Sequence, residues 1–240
     1  MKISAHRVGV ITGTGVTEHF KLGSPQRVKT EFGPSVVYPS GDGKALILPR
    51  HGAAHRSPPH GINYRANIAA LEQLGVRQVV ATSAVGSMNQ DFGVGEVGLV
   101  EQFIDFTKHR QATFFEKEVV HTDMTYPYSR RLNQVLLAAG KRAGTRVTPG
   151  LVYVCAEGPR FETAAEIRMF RLMGGDVVGM TGVPEVVLAN EKKMDYSSLV
   201  IATNWAAGMQ PKVSHEEVLK VMRRSGRRVK DMIETAIKAL

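Results

Sequence analysis

The chain has 240 residues, 43% hydrophobic, 22% charged and 7% aromatic, a balance that excludes a disordered or collagen-like polypeptide. Its 31 Lys and Arg against 22 Asp and Glu give a formal net charge of +9 and a pI near 9.8, which draws anions without choosing among nucleic acid, acidic membrane and small phosphates. The single cysteine, Cys155, has no partner for an intrachain disulfide, which fits a reducing compartment.

Met1-Lys2-Ile3-Ser4-Ala5-His6-Arg7 has no apolar h-region of a signal peptide, and no run of 18 apolar residues occurs, so the expectation is a cytoplasmic protein with no membrane partner. Val8-Gly9-Val10-Ile11 reads as a buried strand ending in Gly13-Thr14-Gly15, a turn whose N–H groups and hydroxyl can cradle a phosphate. A dinucleotide fingerprint needs a third glycine where Glu18 stands, which argues against a Rossmann oxidoreductase. Ala45-Leu46-Ile47-Leu48 is a second strand, stopped by Pro49. It delivers a fixed cation and a titratable ring, Arg50-His51-Gly52, to a strand's carboxyl end, where open α/β sheets bind ligands. In the His- and Pro-rich loop that follows, His55 and His60 have no Cys or carboxylate at metal-ligand spacing. Tyr64, Ile68 and Leu71 mark one face of a helix that stops near Gly75.

Gln78-Val79-Val80-Ala81-Thr82 is a strand, and Thr82 to Ser87 reads as a small-residue turn that lets the backbone approach a phosphate. Lys108 to Tyr128 is a polar, aromatic loop long enough to be functional. Leu151 to Cys155 is a buried strand, which makes Cys155 inert core rather than a nucleophile. It leads to Ala156-Glu157-Gly158-Pro159-Arg160-Phe161-Glu162, where Glu162 stands beside a helix N-terminus and could serve the helix dipole alone. Thr163-Ala164-Ala165-Glu166 is a capping box that starts that helix. Gly179 to Glu185 is a further strand-to-helix junction, and Ser198 to Thr203 a last strand. Ser214-His215-Glu216-Glu217 caps a C-terminal helix with Val218, Met222, Val229, Ile233 and Ile237 on its core face. The alternation predicts one α/β domain over residues 1–240, a mixed and mostly parallel central sheet flanked by helices. A Gly-x-Ser-x-Gly hydrolase elbow and a P-loop are both absent from the sequence.

Taken together, Gly13-Thr14-Gly15, Arg50-His51-Gly52, Asn63-Tyr64-Arg65-Ala66-Asn67, Glu157-Gly158-Pro159-Arg160-Phe161 and Met180-Thr181-Gly182-Val183-Pro184-Glu185 resemble the trimeric purine nucleoside phosphorylase and methylthioadenosine phosphorylase family. The motifs follow the family's order and approximate spacing over essentially the whole chain. The resemblance implies phosphorolysis of a purine nucleoside, with inorganic phosphate as co-substrate and no metal or organic cofactor. It further implies a homotrimer, able to pair into a hexamer, with sites at subunit boundaries. Carried over residue by residue, phosphate is held by Thr14, Arg50, His51, Ser83, Ala84 and Thr181. Met180 lies against the ribose, Phe161 packs on the purine, and His121 is lent by a neighbouring subunit to the ribose 5′ region. Arg50, His51 and Asn204 are the implied catalytic residues. Nucleic acid is not implied as a partner: Lys220, Arg223, Arg224, Arg227, Arg228 and Lys230 share their helix with acids, and no aromatic platform accompanies them.

The adenine-specific branch of that family carries an Asp-x-Asp pair where this chain has Asn204-Trp205-Ala206, and the resemblance implies that all three of these residues contact the substrate. A 6-oxopurine presents an acceptor at position 6 and a donor at N1. Asn204 can donate to O6 or N7 and Glu162 can accept from N1–H, so the expected substrates are inosine and guanosine. His215 resembles the histidine that purine nucleoside phosphorylases present to the 5′-hydroxyl, where methylthio-specific relatives carry an apolar residue. The overall likeness nevertheless leans to the methylthio branch, and Met209 or Val213 could line an apolar pocket, which makes 5′-methylthioinosine the alternative substrate. A basic binding protein without turnover is the rival from another class, since fold alone does not establish chemistry.

Overall fold

Val8-Gly9-Val10-Ile11 has no polar side chain to offer water, and it forms strand β1 (Val8–Thr12), buried along its whole length. The computed structural model describes residues 8–52 and 56–240, so Met1 to Arg7 and His55 lie outside the described residues. A half-exposed ribbon follows, β2 (Gln26–Thr30) and β3 (Gly33–Pro39), and then the buried β4 (Ala45–Pro49). Helix α1 (Tyr64–Gln73) is capped by Asn63, whose side chain accepts from the Ala66 N–H at 3.0 Å. Strands β5 (Gln78–Ser87) and β6 (Val97–Phe106) precede helix α2 (Arg130–Arg142). Strand β7 (Val147–Ala156) then leads to α3 (Ala164–Leu172), which opens on the Thr163–Glu166 capping box that the sequence predicts. The short β8 (Val177–Gly179), helix α4 (Glu185–Glu191), strand β9 (Asp195–Trp205) and the long α5 (His215–Ile237) complete the chain.

The sheet is ordered β2-β3-β4-β1-β5-β8-β7-β6-β9, with β9 also paired to β5, so the last five strands close on themselves. Among the described residues five pairings are parallel and four antiparallel, which makes the sheet mixed, as the sequence implies. Helices α2 and α5 pack on one face through Leu132, Leu136, Met222, Val229 and Ile233. The opposite face is covered by α1 and α4 through Ile68, Leu71, Val186 and Leu188. Among the described residues no helix is long and apolar enough to cross a membrane.

One expectation is corrected. Thr82 to Ser87 is not a turn but the second half of β5, paired with β9 throughout. Its small residues suit a strand enclosed on both faces: a Cβ on Gly86 would lie 3.2 Å from the Asn204 amide nitrogen. The loop expected over 108–128 does connect β6 to α2. Arg110 anchors it, donating to the carbonyls of Val183 at 2.6 Å and Glu157 at 2.7 Å.

Helix α5 crosses the Gly13-Thr14-Gly15 turn at close range. A Cβ on Gly226 would strike the Gly15 carbonyl and come within 2.7 Å of the His19 ring. Gly226→Ala therefore sets a helix-propensity gain of about 1 kcal/mol against an overpacking cost of about 1–3 kcal/mol. The backbone on the far side has no rotamer with which to yield. The expected outcome is a net loss of stability, read as a lower urea midpoint at unchanged m-value.

Candidate active site

The site occupies a gap in the sheet. Strand β1 pairs with β5 only as far as Ala81, and β8 pairs with it only at Gly86 and Ser87. On that side Thr82 to Val85 have no strand partner among the described residues, and the carboxyl ends of β1 and β4 face the opening. A cavity of about 560 Å³ fills it, lined by Gly13 and Thr14 from the first turn, Arg50 and His51 from the second, Ser83 and Ala84 from β5, and Met180 and Thr181 after β8. Phe161, Glu162, Asn204 and His215 line the same cavity. The order of the strands thus gathers residues from five separate junctions at one edge.

At one end stands Arg50, with no side-chain exposure. Its Nε and one terminal nitrogen each donate to the Glu185 carboxylate at 2.7 Å, and its other terminal nitrogen donates to the Thr82 carbonyl at 2.7 Å. Burial disfavours the cation, but attraction and hydrogen bonding to Glu185 outweigh it and hold the guanidinium above the ordinary arginine range. Burial, reinforced by the Glu185 charge, keeps Tyr196 protonated, and its hydroxyl donates to the same carboxylate at 2.7 Å. The Gly13 N–H donates to the Thr82 hydroxyl at 3.0 Å, and His51 Nδ1 lies 2.8 Å from the Ser57 carbonyl. The Thr181 hydroxyl is 3.5 Å from Ser83 Oγ, while the N–H groups of Thr181 and Gly182 donate to the buried Tyr153 hydroxyl at 3.2 and 3.3 Å. Gly182 must be glycine, since a Cβ there would sit 2.9 Å from the Tyr153 ring.

At the other end burial raises the Glu162 carboxyl above the usual glutamate range, and its buried Oε1 has no hydrogen-bond partner among the described residues. Asn204, 4% exposed, is aimed by a bulge: the β5–β9 register skips Thr203 between Val85/Ala202 and Gly86/Asn204. The Asn204 side-chain oxygen accepts from the Thr203 hydroxyl at 3.0 Å, and its nitrogen donates to the Trp205 carbonyl at 2.8 Å. One amide N–H is left for the cavity. Phe161, 38% exposed, offers a ring face at the rim, and His215 lines the cavity from the first turn of α5.

Two residues expected to touch substrate do not line the cavity: Ala206 packs among Met88, Ile167, Phe170 and Val178, and the backbone N–H of Trp205 donates to the Gln210 side chain. His121, expected to serve a neighbouring subunit rather than its own cavity, stands exposed on the loop between β6 and α2. Met209 and Val213 also lie off the lining. Cys155 is buried with its thiol pushed up to about 11, in keeping with a core role. Among the described residues no group of three His, Cys, Asp or Glu could hold a metal ion. Glu185, Tyr196 and Tyr153 are the supporting residues that the sequence did not single out.

The model of the Phosphorylase superfamily matches residues 7–238. The chain is 48% identical to a probable 6-oxopurine nucleoside phosphorylase of Moorella thermoacetica, over 96% of its length and 92% of the relative's. It is 43% identical to the 6-oxopurine nucleoside phosphorylase of Pyrococcus furiosus, with 96% and 92% covered. A probable S-methyl-5′-thioinosine phosphorylase of Methanothermobacter thermautotrophicus is 44% identical, with 97% and 84% covered. Among solved structures, methylthioadenosine phosphorylase from Schistosoma mansoni in complex with tubercidin superposes with a TM-score of 0.92 at 32% identity, covering 98% of this chain and 91% of that one.

The ion pair dictates how Arg50 can be tested. Removing it alone strands a fully buried carboxylate, so Arg50→Ala is expected to lose about 3–5 kcal/mol of stability. Arg50→Met with Glu185→Leu and Tyr196→Phe, which removes charge and donors together, is expected to recover most of that loss in the same urea titration. A triple variant no more stable than Arg50→Ala would show that the ion pair is not what the core needs.

Proposed function

The chain belongs to the phosphorylase superfamily, and on that premise we propose that it cleaves the N-glycosidic bond of inosine and guanosine with inorganic phosphate. One observation carries the reading: a single cavity joins a cluster of anion donors to a carboxylate and an amide of the polarity that a 6-oxopurine requires. Thr14, Arg50, His51, Ser83, Ala84 and Thr181 orient phosphate beneath C1′, where its charge offsets the cation that develops as the C1′–N9 bond lengthens. A phosphate oxygen bonds to C1′, the electron pair of the broken bond goes to the purine, and pentose 1-phosphate is released. Asn204 donates to O6 or N7 as the base gains charge, Glu162 accepts from N1–H, Phe161 stacks on the purine and Met180 lies against the ribose. Neither a metal nor an organic cofactor has a part in this scheme.

The assembly proposed is a homotrimer in the cytoplasm, with His121 reaching a neighbour's ribose site. It is supported by the exposed apolar side chains of Met169 and Leu172 on α3 and of Met173 just past its end; Leu172 is 89% exposed. The second substrate reading, 5′-methylthioinosine, is favoured by the Methanothermobacter relative's name. Against it, His215 lines the cavity while Met209 and Val213 do not. His215 is exposed in the single chain, so a methylthio group forgoes only the hydrogen bond a 5′-hydroxyl would make, about 0.5–1.5 kcal/mol.

Free base and pentose 1-phosphate are to be followed with inosine, guanosine, adenosine and 5′-methylthioinosine, with and without phosphate. Expected are strict phosphate dependence, little use of adenosine, and a kcat/KM for inosine above that for 5′-methylthioinosine. His215→Val is expected to narrow or invert that last ratio, by about tenfold per 1.4 kcal/mol. Base release that ignores phosphate would make the protein a hydrolase.

A second prediction rests on Glu162. Its carboxylate form accepts from N1–H more strongly than the neutral acid, and burial raises its pKa, so kcat/KM for inosine falls as pH drops through a value above the usual glutamate range. Glu162→Gln is expected to abolish that acid limb and to lower kcat/KM by about 10- to 100-fold, the worth of one charged hydrogen bond. An unchanged pH profile would remove Glu162 from the base site.

A further inference from the structure

A second cavity, about 540 Å³, adjoins the first between the Gly13-Thr14-Gly15 turn, the Pro49 to Gly52 segment and the start of α5. The two share Gly13, Thr14, His51 and His215, whereas Phe161, Glu162 and Asn204 line only the first. The second cavity therefore opens on the anion-binding end of the site and away from its base end. Arg223 and Glu18 stand on its wall. Glu18 lies 3.9 Å from His19, while Arg223 has no hydrogen bond or ion pair among the described residues.

Arg223 is also part of a longer feature. Lys220, Arg223, Arg224 and Arg227 stand at i, i+3, i+4 and i+7 on α5, which places them on one face, and all four are exposed. No acid falls within that span. Glu217 is taken up by Gln210 at 2.8 Å, and Glu216 lies one turn before Lys220. The neighbouring cations are engaged elsewhere: Arg228 donates to the Gly95 carbonyl at 2.6 Å, and Lys230 pairs with Glu234 at 2.7 Å. An unpaired basic stripe thus runs along the helix to the wall of a cavity that ends at the anion donors. Each opening carries one carboxylate, Glu162 in the first and Glu18 in the second, and what sets the second apart is that its Arg223 continues into the basic stripe of α5.

We propose that the second cavity is the entrance for inorganic phosphate, with Arg223 as its guiding cation, so that phosphate and nucleoside reach the site by different openings. The identity of the anion rests on the phosphorylase reading; the route itself does not. The field of exposed cations reaches about 8 Å at physiological ionic strength, so the effect must fade with salt.

The test measures the KM for phosphate and for inosine separately, at low salt and in 0.5 M NaCl, in Arg223→Glu, Arg223→Lys and Arg223→Glu/Arg227→Glu. In parallel, the rise of Tm with added phosphate gives phosphate affinity with no nucleoside present. Expected for Arg223→Glu is a phosphate KM raised on the order of 3- to 10-fold at low salt, with the gap narrowing at high salt. Its kcat and inosine KM should stay within about twofold, the range of surface changes that touch neither substrate. Arg223→Lys should match the parent, and the double variant should exceed the single. An unchanged phosphate KM and Tm response in both Glu variants would overturn the proposal, and so would an inosine KM that rises in step. Phosphate-dependent stabilisation that weakens in Arg223→Glu, in a protein that cleaves no nucleoside, would keep the entrance and discard the phosphorylase reading.

Discussion

The buried pair of Arg50 and Glu185 is the constraint on which the rest of the site depends. The two residues are 135 positions apart, and with the Thr82 carbonyl and the Tyr196 hydroxyl they tie the end of β4, the gap in β5, the start of α4 and β9 to one guanidinium. Such a pair adds little net stability, because desolvation consumes most of the Coulomb gain. What it fixes is direction. Nε and one N–H of a terminal nitrogen go to Glu185, one N–H of the other goes to Thr82, and each terminal nitrogen keeps one N–H for the cavity. Glu185 also stands in the first turn of α4, where the helix dipole favours its charge.

A consequence follows for an incoming anion. Arg50 is already neutralised by Glu185, so it offers placed donors rather than net field. The same holds for the Gly13 turn and the Thr181 junction, whose groups are dipoles. Long-range attraction must come from cations without local partners, and along α5 Lys220, Arg223, Arg224 and Arg227 have none among the described residues. Recognition at short range and attraction at long range are thus assigned to different parts of the chain. Helix α5 joins them physically, because Gly226 and Met222 press on the turn that holds Thr14.

Where burial is continuous the sequence is readable: β1, β4, the first half of β5 and the core of β7 are apolar runs with Gly or Pro close by, and the core of β9 is one between Ser198 and Thr203. The two helix starts at Thr163 and Ser214 were legible because a cap is a local hydrogen bond between residues three apart. Thr82 to Ser87 misled because small and hydroxyl residues signal turns in isolation, whereas inside a closed ring of strands they are what fits. Strand β2 alternates charged with half-buried positions and carries little apolar signal, and β3 offers only Val36-Val37-Tyr38 between two prolines. Helix α2 did carry one, with Leu132, Leu136 and Ala139 at i, i+4 and i+7. Within the site, the residues at strand ends could be named from their neighbours in sequence. Glu185, Tyr196 and Tyr153 could not, since each matters only through a partner in another element. Trp205 and Ala206 were grouped with Asn204 by adjacency, but neighbours along a strand point to opposite faces, and Ala206 lies past the strand's end.

The polarity of the base end is fixed by the same kind of constraint. An Asn side chain can present either its oxygen or its nitrogen, and a site that tolerated both would not distinguish a 6-oxo from a 6-amino purine. Here the Trp205 carbonyl settles the choice. It is an acceptor 2.8 Å from Nδ2, so turning the amide would set oxygen against oxygen, whereas the single Thr203 hydroxyl proton is shared between Oδ1 at 3.0 Å and the Val85 carbonyl at 3.1 Å. The nitrogen is held in place and its second hydrogen is what remains for a ligand. Glu162 is the complement: a carboxyl whose buried oxygen has no donor, and whose burial disfavours its charge until a donor arrives. A 6-oxopurine supplies that donor at N1 and an acceptor at O6 or N7 together. A 6-aminopurine has no hydrogen at N1, so it would leave the Glu162 carboxylate without a donor unless it took up a proton, and it would set its amino group against the Asn204 N–H. On the proposed function, the discrimination lies less in what the pocket gains from the right base than in the groups that the wrong base satisfies poorly.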